Sequence, residues 1–296
     1  MQNEDYFIIV NPISGNGKAK NLIHKLTNDL INQNKTYKIL TTEYAGHAKK
    51  ICQTLQGYEK MIIIGGDGTF NEVINGIMLN HHKPTLGFLP GGTGNAMMHD
   101  LVGTTYKKAI NIILSNQKKK IDVMKLDLNN STEYSINIVG WGMAADINIL
   151  SEKLRFLGHP RYTISSLYYV FNKNPRKVKI QIDGQERIEN CLFILTLNTI
   201  HTGKGMKAAP RAKLNDGLID IIILKSKISK LELILLLPKI FSGKHISSNK
   251  IEYLQAKQIN ITPEKNEILN IDGEMKCLTP VKISMIDQAI EIFSTN

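Results

Sequence analysis

The first part of the chain alternates short apolar runs with longer amphipathic stretches. Four runs rich in β-branched and apolar residues predict strands, and they lie at Phe7–Val10, Lys38–Thr41, Met61–Ile64 and Thr85–Leu89. Helical periodicity follows each of them, at Lys18–Gln33, Ala48–Leu55, Thr69–Leu79 and from Asn95 onward. The wholly apolar run at Met61 is typical of a strand that is buried on both faces of a parallel sheet. The alternation therefore predicts a parallel sheet with helices on both faces.

After the lysines at 118–120 the pattern changes to short strand-like runs separated by turn signals. The runs lie at Ile121–Leu128, Tyr134–Val139, Val178–Ile182, Leu192–Asn198, Leu218–Leu224, Ile259–Ile261 and Val281–Met285. Two helical stretches interrupt them, at Ile147–Phe156 and Lys230–Phe241. The predicted fold is an N-terminal parallel-sheet α/β domain, residues 1–121 completed by about 286–296, and a second, mostly antiparallel β domain, residues 122–285.

Composition narrows the class of protein. Of the 296 residues, 42% are apolar, which suits an ordinary folded enzyme. Cys52, Cys191 and Cys277 are far apart, so neither a disulfide framework nor a cysteine metal site is expected. The sequence shows neither a secretory leader nor an apolar run long enough for a membrane helix. These features predict a protein of the reducing cytoplasm.

The net charge of +11 allows several partners, namely nucleic acid, an anionic membrane or nucleotide phosphates. The basic clusters are not interleaved with aromatic residues, so we expect no nucleic-acid partner. Scattered solvated lysines would explain the same charge equally well.

Glycine-rich loops follow three of the predicted strands and lead into helices. They run Asn11-Pro12-Ile13-Ser14-Gly15-Asn16-Gly17-Lys18, Gly65-Gly66-Asp67-Gly68-Thr69 and Pro90-Gly91-Gly92-Thr93-Gly94-Asn95. Because the carboxyl ends of parallel strands share one edge of the sheet, we expect the loops to meet and to present backbone amides to a polyphosphate. The first loop is not a P-loop, since it lacks the glycine spacing and Ala19 replaces the magnesium-binding hydroxyl.

Two acidic residues of the central loop stand out. Asp67 lies between glycines at a strand end, where an unpaired carboxylate would be costly to bury, so a functional role is expected. Glu72 supports two interpretations: it can form a capping box with Thr69 at the start of the helix, and it can contact a nucleotide.

Together the three loops resemble the catalytic domain of the diacylglycerol, sphingosine and ceramide kinases. The resemblance continues through Trp141–Thr163, Ala209–Asp220 and Ile271–Glu274, and so covers nearly the whole chain. The central loop is shared with NAD kinases and phosphofructokinases, whereas the other motifs favour the lipid kinases. The resemblance implies an enzyme that uses ATP and Mg²⁺, with an ATP cleft between its two domains.

The resemblance also implies a set of nucleotide contacts. They are Asn11, Ser14, Gly15, Thr42, Gly65, Gly66, Asp67, Thr69, Glu72, Gly92, Thr93, Gly94, Arg155 and Arg161. Arginine suits the last two positions because its fork binds phosphate oxygens in pairs.

The catalytic residues that the resemblance implies are Asp67, Asp272 and Glu274, of which Glu274 is similar to the family's proton acceptor. Which carboxylate is the base stays open, and Asp272-Gly273 by itself predicts a hairpin turn. Lys213, Asp216 and Leu218 match a peripheral, structural Mg²⁺ site, although a plain turn explains those residues nearly as well.

The resemblance places lipid recognition at Asp146 and Asn148. Sphingosine kinases carry an aspartate at the second position, where it recognises the head-group amine, and a neutral amide offers no such ion pair. This departure disfavours a sphingoid base and favours a neutral lipid such as diacylglycerol or a ceramide. The predicted substrate is diacylglycerol or a related neutral lipid, with a sphingoid-base or ceramide kinase as the alternative.

More distant alternatives are a soluble-substrate kinase such as an NAD kinase and an inactive lipid or nucleotide sensor. Peripheral docking on an anionic membrane fits the apolar stretch Leu231–Leu237 with Ile240-Phe241, which lysines 227, 230, 239 and 244 flank, and a buried helix fits it as well. A homodimer is compatible with the sequence.

Overall fold

Residues 4–92, 94–158, 160–203 and 205–294 are described by a computed structural model of the chain. Packing divides the chain into two units: Met1–Val123 together with Asp287–Asn296 form the first, and Met124–Ile286 form the second. None of the helices in the described residues is long and apolar enough to cross a bilayer.

The first unit alternates strands and helices, as the apolar pattern predicted. Its elements in chain order are β1 (Tyr6–Val10), α1 (Lys18–Asn32), β2 (Tyr37–Thr41), α2 (His47–Thr54), β3 (Lys60–Gly65), α3 (Asp67–Ile77), β4 (Thr85–Pro90), α4 (Met98–Leu101) and α5 (Tyr106–Ser115), with a 3-10 turn at Ser14–Gly17. All of these strands pair in parallel, in the order β2, β1, β3, β4. The apolar residues 61–64 of β3 are fully buried, as expected for a central strand.

The helix predicted from Asn95 begins three residues later. Asn95 has a positive φ of 48°, which is a left-handed conformation that a right-handed helix cannot include. Its side chain instead closes the preceding loop: Asn95 Oδ1 accepts the Gly92 amide at 3.1 Å, and Asn95 Nδ2 donates to the Gly92 carbonyl at 3.0 Å. The helix α4 therefore begins only at Met98.

The second unit is mostly antiparallel β structure. Its elements in chain order are β5 (Lys118–Leu128), β6 (Thr132–Ser135), β7 (Ile138–Gly142), α6 (Met143–Lys153), α7 (Arg161–Phe171), β8 (Arg176–Ile182), β9 (Gln185–Leu197), β10 (Ile219–Lys225), α8 (Lys230–Leu236), α9 (Lys239–Ser242), β11 (Ile251–Ala256), β12 (Gln258–Pro263), β13 (Ile268–Ile271), β14 (Glu274–Leu278) and β15 (Val281–Phe293), with 3-10 turns at Arg155–Leu157 and Lys244–Ser247. The first residues of β5 and the last of β15 belong to the first unit, where Ile292 pairs in parallel with Leu86 of β4.

Within the second unit the long strand β9 organises the pairing. It lies antiparallel to β7, β8 and β10, and β11, β12, β13 and β14 extend the arrangement, also antiparallel. Asp183 and Gly184 form the two-residue hairpin between β8 and β9, with φ values of 45° and 88°. Apolar residues of these strands pack around the fully buried Trp141. The prediction of a parallel α/β part followed by an antiparallel β part is confirmed.

One strand prediction in the second unit is wrong, and one helix of that unit was missed. The predicted strand Tyr134–Val139 is broken into β6 and β7, because the amides of the residues between them turn toward the carboxylate of Asp272. The helix α7 was not predicted; its tyrosines, isoleucine and threonine favour strands more than helices.

Candidate active site

The three glycine-rich loops converge in the first unit. They are the first loop (residues 11–17), the central loop (residues 65–69) and the third loop (residues 90–95), and they follow three adjacent parallel strands. The Gly91 amide donates to the Gly65 carbonyl at 2.8 Å, and the Asn11 amide donates to the Ile64 carbonyl at 3.0 Å. A Cβ added to Gly92 would lie 2.6 Å from the Gly66 Cα, so the central and third loops touch backbone to backbone.

The first loop is fixed to the other two by one side chain and one glycine. Asn11 Nδ2 donates to Thr69 Oγ1 at 2.9 Å, which joins the first loop to the central one. Gly15 has a φ of 59°, and a Cβ there would collide with the Gly91 carbonyl oxygen. Ser14 begins the 3-10 turn, and its amide donates to the Asn11 carbonyl at 3.2 Å. The predicted contact Thr93 lies outside the described residues.

We expect Gly15→Ala to weaken nucleotide binding more than Gly17→Ala does. Both glycines have positive φ, so both substitutions carry a conformational cost of roughly 1–2 kcal/mol. Only at Gly15 does the new methyl group meet the third loop, because the space around Gly17 is open. Calorimetric titration with Mg·ATP should show a loss of roughly tenfold or more for Gly15→Ala relative to Gly17→Ala. Equal affinities in the two variants would show that the contact between the loops does not support nucleotide binding.

Asp67 occupies the start of α3 beside the third loop. It is the first residue of the helix, where the positive end of the helix dipole favours a carboxylate. Its Oδ1 accepts the Met97 amide at 3.4 Å, and a Cβ on Gly94 would lie 2.8 Å from its Oδ2. A partly buried carboxylate therefore stands at the meeting point of the central and third loops, where a polyphosphate and its metal ion would be bound.

Glu72 caps a neighbouring helix, so the predicted capping box with Thr69 is wrong. The carboxylate accepts the Gly46 amide at 2.8 Å and the Ala48 amide at 3.1 Å, both at the start of α2. The helix α3 begins at Asp67 and has no side-chain cap. Gly46 precedes α2 and has no side chain that could accept these amides, so an acceptor from another element satisfies them.

The same contact positions the segment that follows β2. This segment contains Thr42, which is nearly buried and whose amide donates to the Val10 carbonyl at 2.8 Å. Both carboxylate oxygens of Glu72 accept amides of residues that follow Thr42, so Glu72 holds this segment in place. Its contact with a nucleotide stays a prediction.

In the second unit, Asp272 is a buried carboxylate held by the backbone. It lies in the two-residue turn between β13 and β14, with a φ of 50°. Its Oδ1 accepts the Ser135 hydroxyl at 2.6 Å and the amides of Asn137 and Ile138 at 3.1 and 3.0 Å. The hairpin interpretation of this dipeptide therefore describes its conformation, and the carboxylate also fixes the break between β6 and β7.

Glu274 follows directly on this turn and is more accessible. Its side chain is 44% exposed, and its carboxylate lies 3.5 Å from Lys276 Nζ, which also approaches Glu133 at 3.3 Å. Of the two predicted catalytic carboxylates of this unit, Glu274 is thus the more exposed one.

The two arginines predicted to contact phosphates share one carboxylate. Arg155 Nε lies 2.6 Å from Glu152, and Arg161 Nη2 lies 3.3 Å from the same side chain. Arg155 is 74% exposed, whereas Arg161 is 21% exposed. Because two guanidinium groups face a single carboxylate, the group keeps a net positive charge that can attract an anion.

The predicted lipid-recognition residues lie on α6. Asp146 is ion-paired with Arg176 at 2.5 Å, and Arg176 also binds Glu267 at 2.7 Å. Burial raises the pKa of Asp146, and the charge of Arg176 opposes that rise. Asn148 Nδ2 donates to the Ala144 carbonyl of its own helix at 3.2 Å. The ion pairs of Arg176 were not predicted, since its partners lie far from it along the chain.

The residues of the predicted peripheral metal site form an exposed turn before β10. Asp216 Oδ1 accepts the Leu218 amide at 3.1 Å, and Lys213 is exposed. Nearby, burial raises the pKa of Asp220 to about 6, with the charge of Asp216 adding to the effect. Within the described ranges there is no group of three or more His, Cys, Asp or Glu side chains that could hold a metal. A cation here would depend on Asp216 and backbone carbonyls.

Two family models match the chain in succession. The diacylglycerol kinase catalytic domain matches residues 5–126, and the YegS C-terminal NAD kinase beta sandwich-like domain matches residues 137–294. The chain belongs to the diacylglycerol kinase family. It is therefore a lipid kinase, a phosphotransferase of the class that the loops had predicted.

Individual relatives agree with this assignment. A diacylglycerol kinase of Staphylococcus carnosus is 31% identical over 97% of this chain and 94% of its own. A sphingosine kinase of Arabidopsis thaliana is 26% identical over 90% of this chain and 68% of its own. A crystal structure of a diacylglycerol kinase from Bacillus anthracis superposes with a TM-score of 0.80 at 28% identity, covering 100% of this chain and 98% of that one.

Proposed function

We propose that this lipid kinase transfers the γ-phosphate of ATP to a hydroxyl of a neutral membrane lipid, with diacylglycerol as the best candidate. The observation that carries the proposal is the convergence of three glycine-rich loops beside Asp67 in the unit that matches the diacylglycerol kinase catalytic domain. Backbone amides and one carboxylate at a shared sheet edge are suited to phosphates and a hard cation.

The first unit would hold the nucleotide. The loop amides bind phosphate oxygens, while the Asn11–Thr69 hydrogen bond and Glu72 keep the loops and the Thr42 segment in place. Asp67 would hold Mg²⁺, since its carboxylate is a hard oxygen ligand at the loop junction. When bound, Mg²⁺ neutralises charge on the phosphate oxygens during transfer.

The lipid hydroxyl must lose a proton as it attacks phosphorus, so a base has to lie within hydrogen-bond distance of it. We assign that role to Glu274, whose carboxylate is accessible. Asp272 would be a positioning residue, because its Oδ1 already accepts three hydrogen bonds and it holds the turn from which Glu274 projects. The cations Arg155 and Arg161 would contact phosphate oxygens.

The neutral side chain of Asn148 supports a neutral head group. Its amide is bonded within its own helix and offers no ion pair to a sphingoid ammonium, while Asp146 is already paired with Arg176, which it shares with Glu267. A sphingoid-base or ceramide kinase is the second candidate, favoured by the likeness to a plant sphingosine kinase. Peripheral binding to an anionic membrane on the cytoplasmic side would bring the enzyme to its substrate.

A substrate panel tests the proposal. Mixed micelles should each carry one lipid: diacylglycerol, monoacylglycerol, ceramide, sphingosine or phosphatidylglycerol. With labelled ATP and Mg²⁺, we expect diacylglycerol to be labelled fastest and sphingosine at least roughly tenfold more slowly, the cost of a missing ion pair. Preferential labelling of sphingosine would overturn the head-group argument. Labelling of NAD alone would indicate a soluble substrate, and nucleotide binding without any turnover would indicate a sensor.

A further inference from the structure

An apolar stripe of α7 faces outward. Ile164, Leu167, Tyr168 and Phe171 follow the spacing i, i+3, i+4, i+7, which places them on one side of the helix. Their exposed fractions are 43%, 37%, 52% and 55%. Ser165 and Val170 are buried in the same helix. A stripe of this spacing ordinarily packs into a protein core, and here it contributes to the surface of the second unit.

Neighbouring segments carry further exposed apolar side chains. Phe156, in the turn before α7, is 81% exposed, and Leu231 and Leu235 on α8 are 66% and 56% exposed. The Nζ of Lys230 lies 5.8 Å from the centre of the Phe171 ring, which brings the beginning of α8 beside the end of α7. We define the α7–α8 face by its most exposed apolar members: Phe156, Ile164, Tyr168, Phe171, Leu231 and Leu235.

The segments that carry this face are strongly basic. Residues 152–173 include Lys153, Arg155, Arg161 and Lys173, with Glu152, which pairs with both arginines, as the single acid. Residues 227–244 include four lysines, 227, 230, 239 and 244, with Glu232 as the single acid. Glu232 is occupied, since it accepts the Ser229 amide at 2.6 Å in a capping box and lies 3.6 Å from Lys250. The face therefore combines exposed apolar and aromatic side chains with a surplus of positive charge.

We propose that the α7–α8 face docks on the surface of an anionic bilayer. This inference rests on the proposed function, because a lipid kinase must meet its substrate at such a surface. Apolar side chains enter the acyl boundary, tyrosines stay at head-group depth, and lysines bind anionic head groups. A second copy of the chain fits less well, since a symmetric interface would bring the same cations together.

Vesicle flotation tests the docking face without ATP or substrate lipid. Vesicles of phosphatidylcholine with phosphatidylglycerol are compared with vesicles of phosphatidylcholine alone. We expect the wild type to bind the anionic vesicles, and Tyr168→Gln/Phe171→Gln to lower the partition coefficient by roughly tenfold or more, because two large apolar side chains no longer enter the bilayer. Lys227→Gln/Lys230→Gln should lower the partition coefficient roughly tenfold at low salt, and this difference from the wild type should disappear at high salt. The matched control is Ile188→Gln, which removes a 65% exposed isoleucine from β9.

The outcomes separate the docking face from the kinase assignment. If both double variants bind vesicles like the wild type, or if Ile188→Gln loses as much binding, the α7–α8 face is not the docking surface. If the wild type is a dimer that Tyr168→Gln/Phe171→Gln converts to a monomer, with no vesicle binding by either, the face binds a second copy.

Phosphorylation of a dispersed short-chain diacylglycerol measures catalysis separately from docking. The variants should phosphorylate it at the wild-type rate. If the wild type binds vesicles but is inactive on this lipid, the result counts against the proposed kinase reaction alone.

Discussion

Asp67→Asn should lower the rate of phosphoryl transfer by at least about 10³-fold while leaving the fold intact. The amide keeps the shape of the side chain and can still accept the Met97 amide through its oxygen. It removes the negative charge that would hold Mg²⁺ at the junction of the central and third loops. The measurement is kcat with Mg·ATP and micellar diacylglycerol, together with the urea midpoint of both proteins.

Asp127→Asn is a matched control. It removes a carboxylate of the second unit that is 38% exposed on β5 and paired with Lys125 at 2.8 Å. We expect this variant to retain wild-type turnover. Wild-type turnover by Asp67→Asn would show that the reaction does not depend on the carboxylate beside the loops, and the proposed site would be abandoned.

Substitution of Asp272 should lower the stability of the protein, whereas substitution of Glu274 should lower its activity. Asp272→Ala leaves the Ser135 hydroxyl and the Asn137 and Ile138 amides without their acceptor, so the free energy of unfolding should fall by about 3 kcal/mol or more. Glu274→Gln should leave the free energy of unfolding unchanged and lower kcat by about 10²–10⁴-fold. Urea denaturation and initial rates on diacylglycerol measure the two effects.

If Asp272→Ala is too unstable to purify, Asp272→Asn is the milder variant, since its amide oxygen can still accept part of the network. A loss of activity in Asp272→Asn without any loss of stability would make Asp272 a direct participant in the chemistry. Full activity of Glu274→Gln would remove Glu274 as the base.

The sequence was sufficient to predict the parallel-sheet part of the fold, because the patterns that indicate each strand, loop and helix there are local. The wholly apolar run at Met61 and the glycines that follow it define a strand, a loop and a helix within a few residues of one another. The convergence of the loops follows from parallel pairing alone, since adjacent strands end at the same edge. The contacts Gly15–Gly91 and Gly66–Gly92 are consequences of that topology.

Contacts between residues that lie far apart along the chain could not be predicted from the sequence. Glu72 and Thr69 have the spacing of a capping box, but Glu72 is used by amides of another helix. The partners of Asp272 lie in the segment around Asn137, and burial of that carboxylate breaks a strand that the apolar pattern predicts to be continuous. In each case the choice between a local and a distant partner depends on tertiary packing.

The helix α7 was missed for a different reason. Its apolar residues have helical spacing, yet several of them are aromatic or β-branched, and such residues lose rotamer freedom in helices. The apolar stretch Leu231–Leu237 with Ile240-Phe241 had two interpretations, a buried helix and a membrane-docking element. Its residues differ in burial, and the docking interpretation stays a prediction. Leu233 is buried, while Leu231 and Leu235 are exposed.

The most direct test of the central claim follows the phosphorus by ³¹P NMR in one reaction of the wild-type chain with Mg·ATP and micellar diacylglycerol. The account predicts that a lipid phosphomonoester resonance grows in step with ADP. Release of ADP with inorganic phosphate and no phosphomonoester, or ATP that stays intact, would contradict the claim that the loops and Asp67 direct phosphoryl transfer to a lipid hydroxyl.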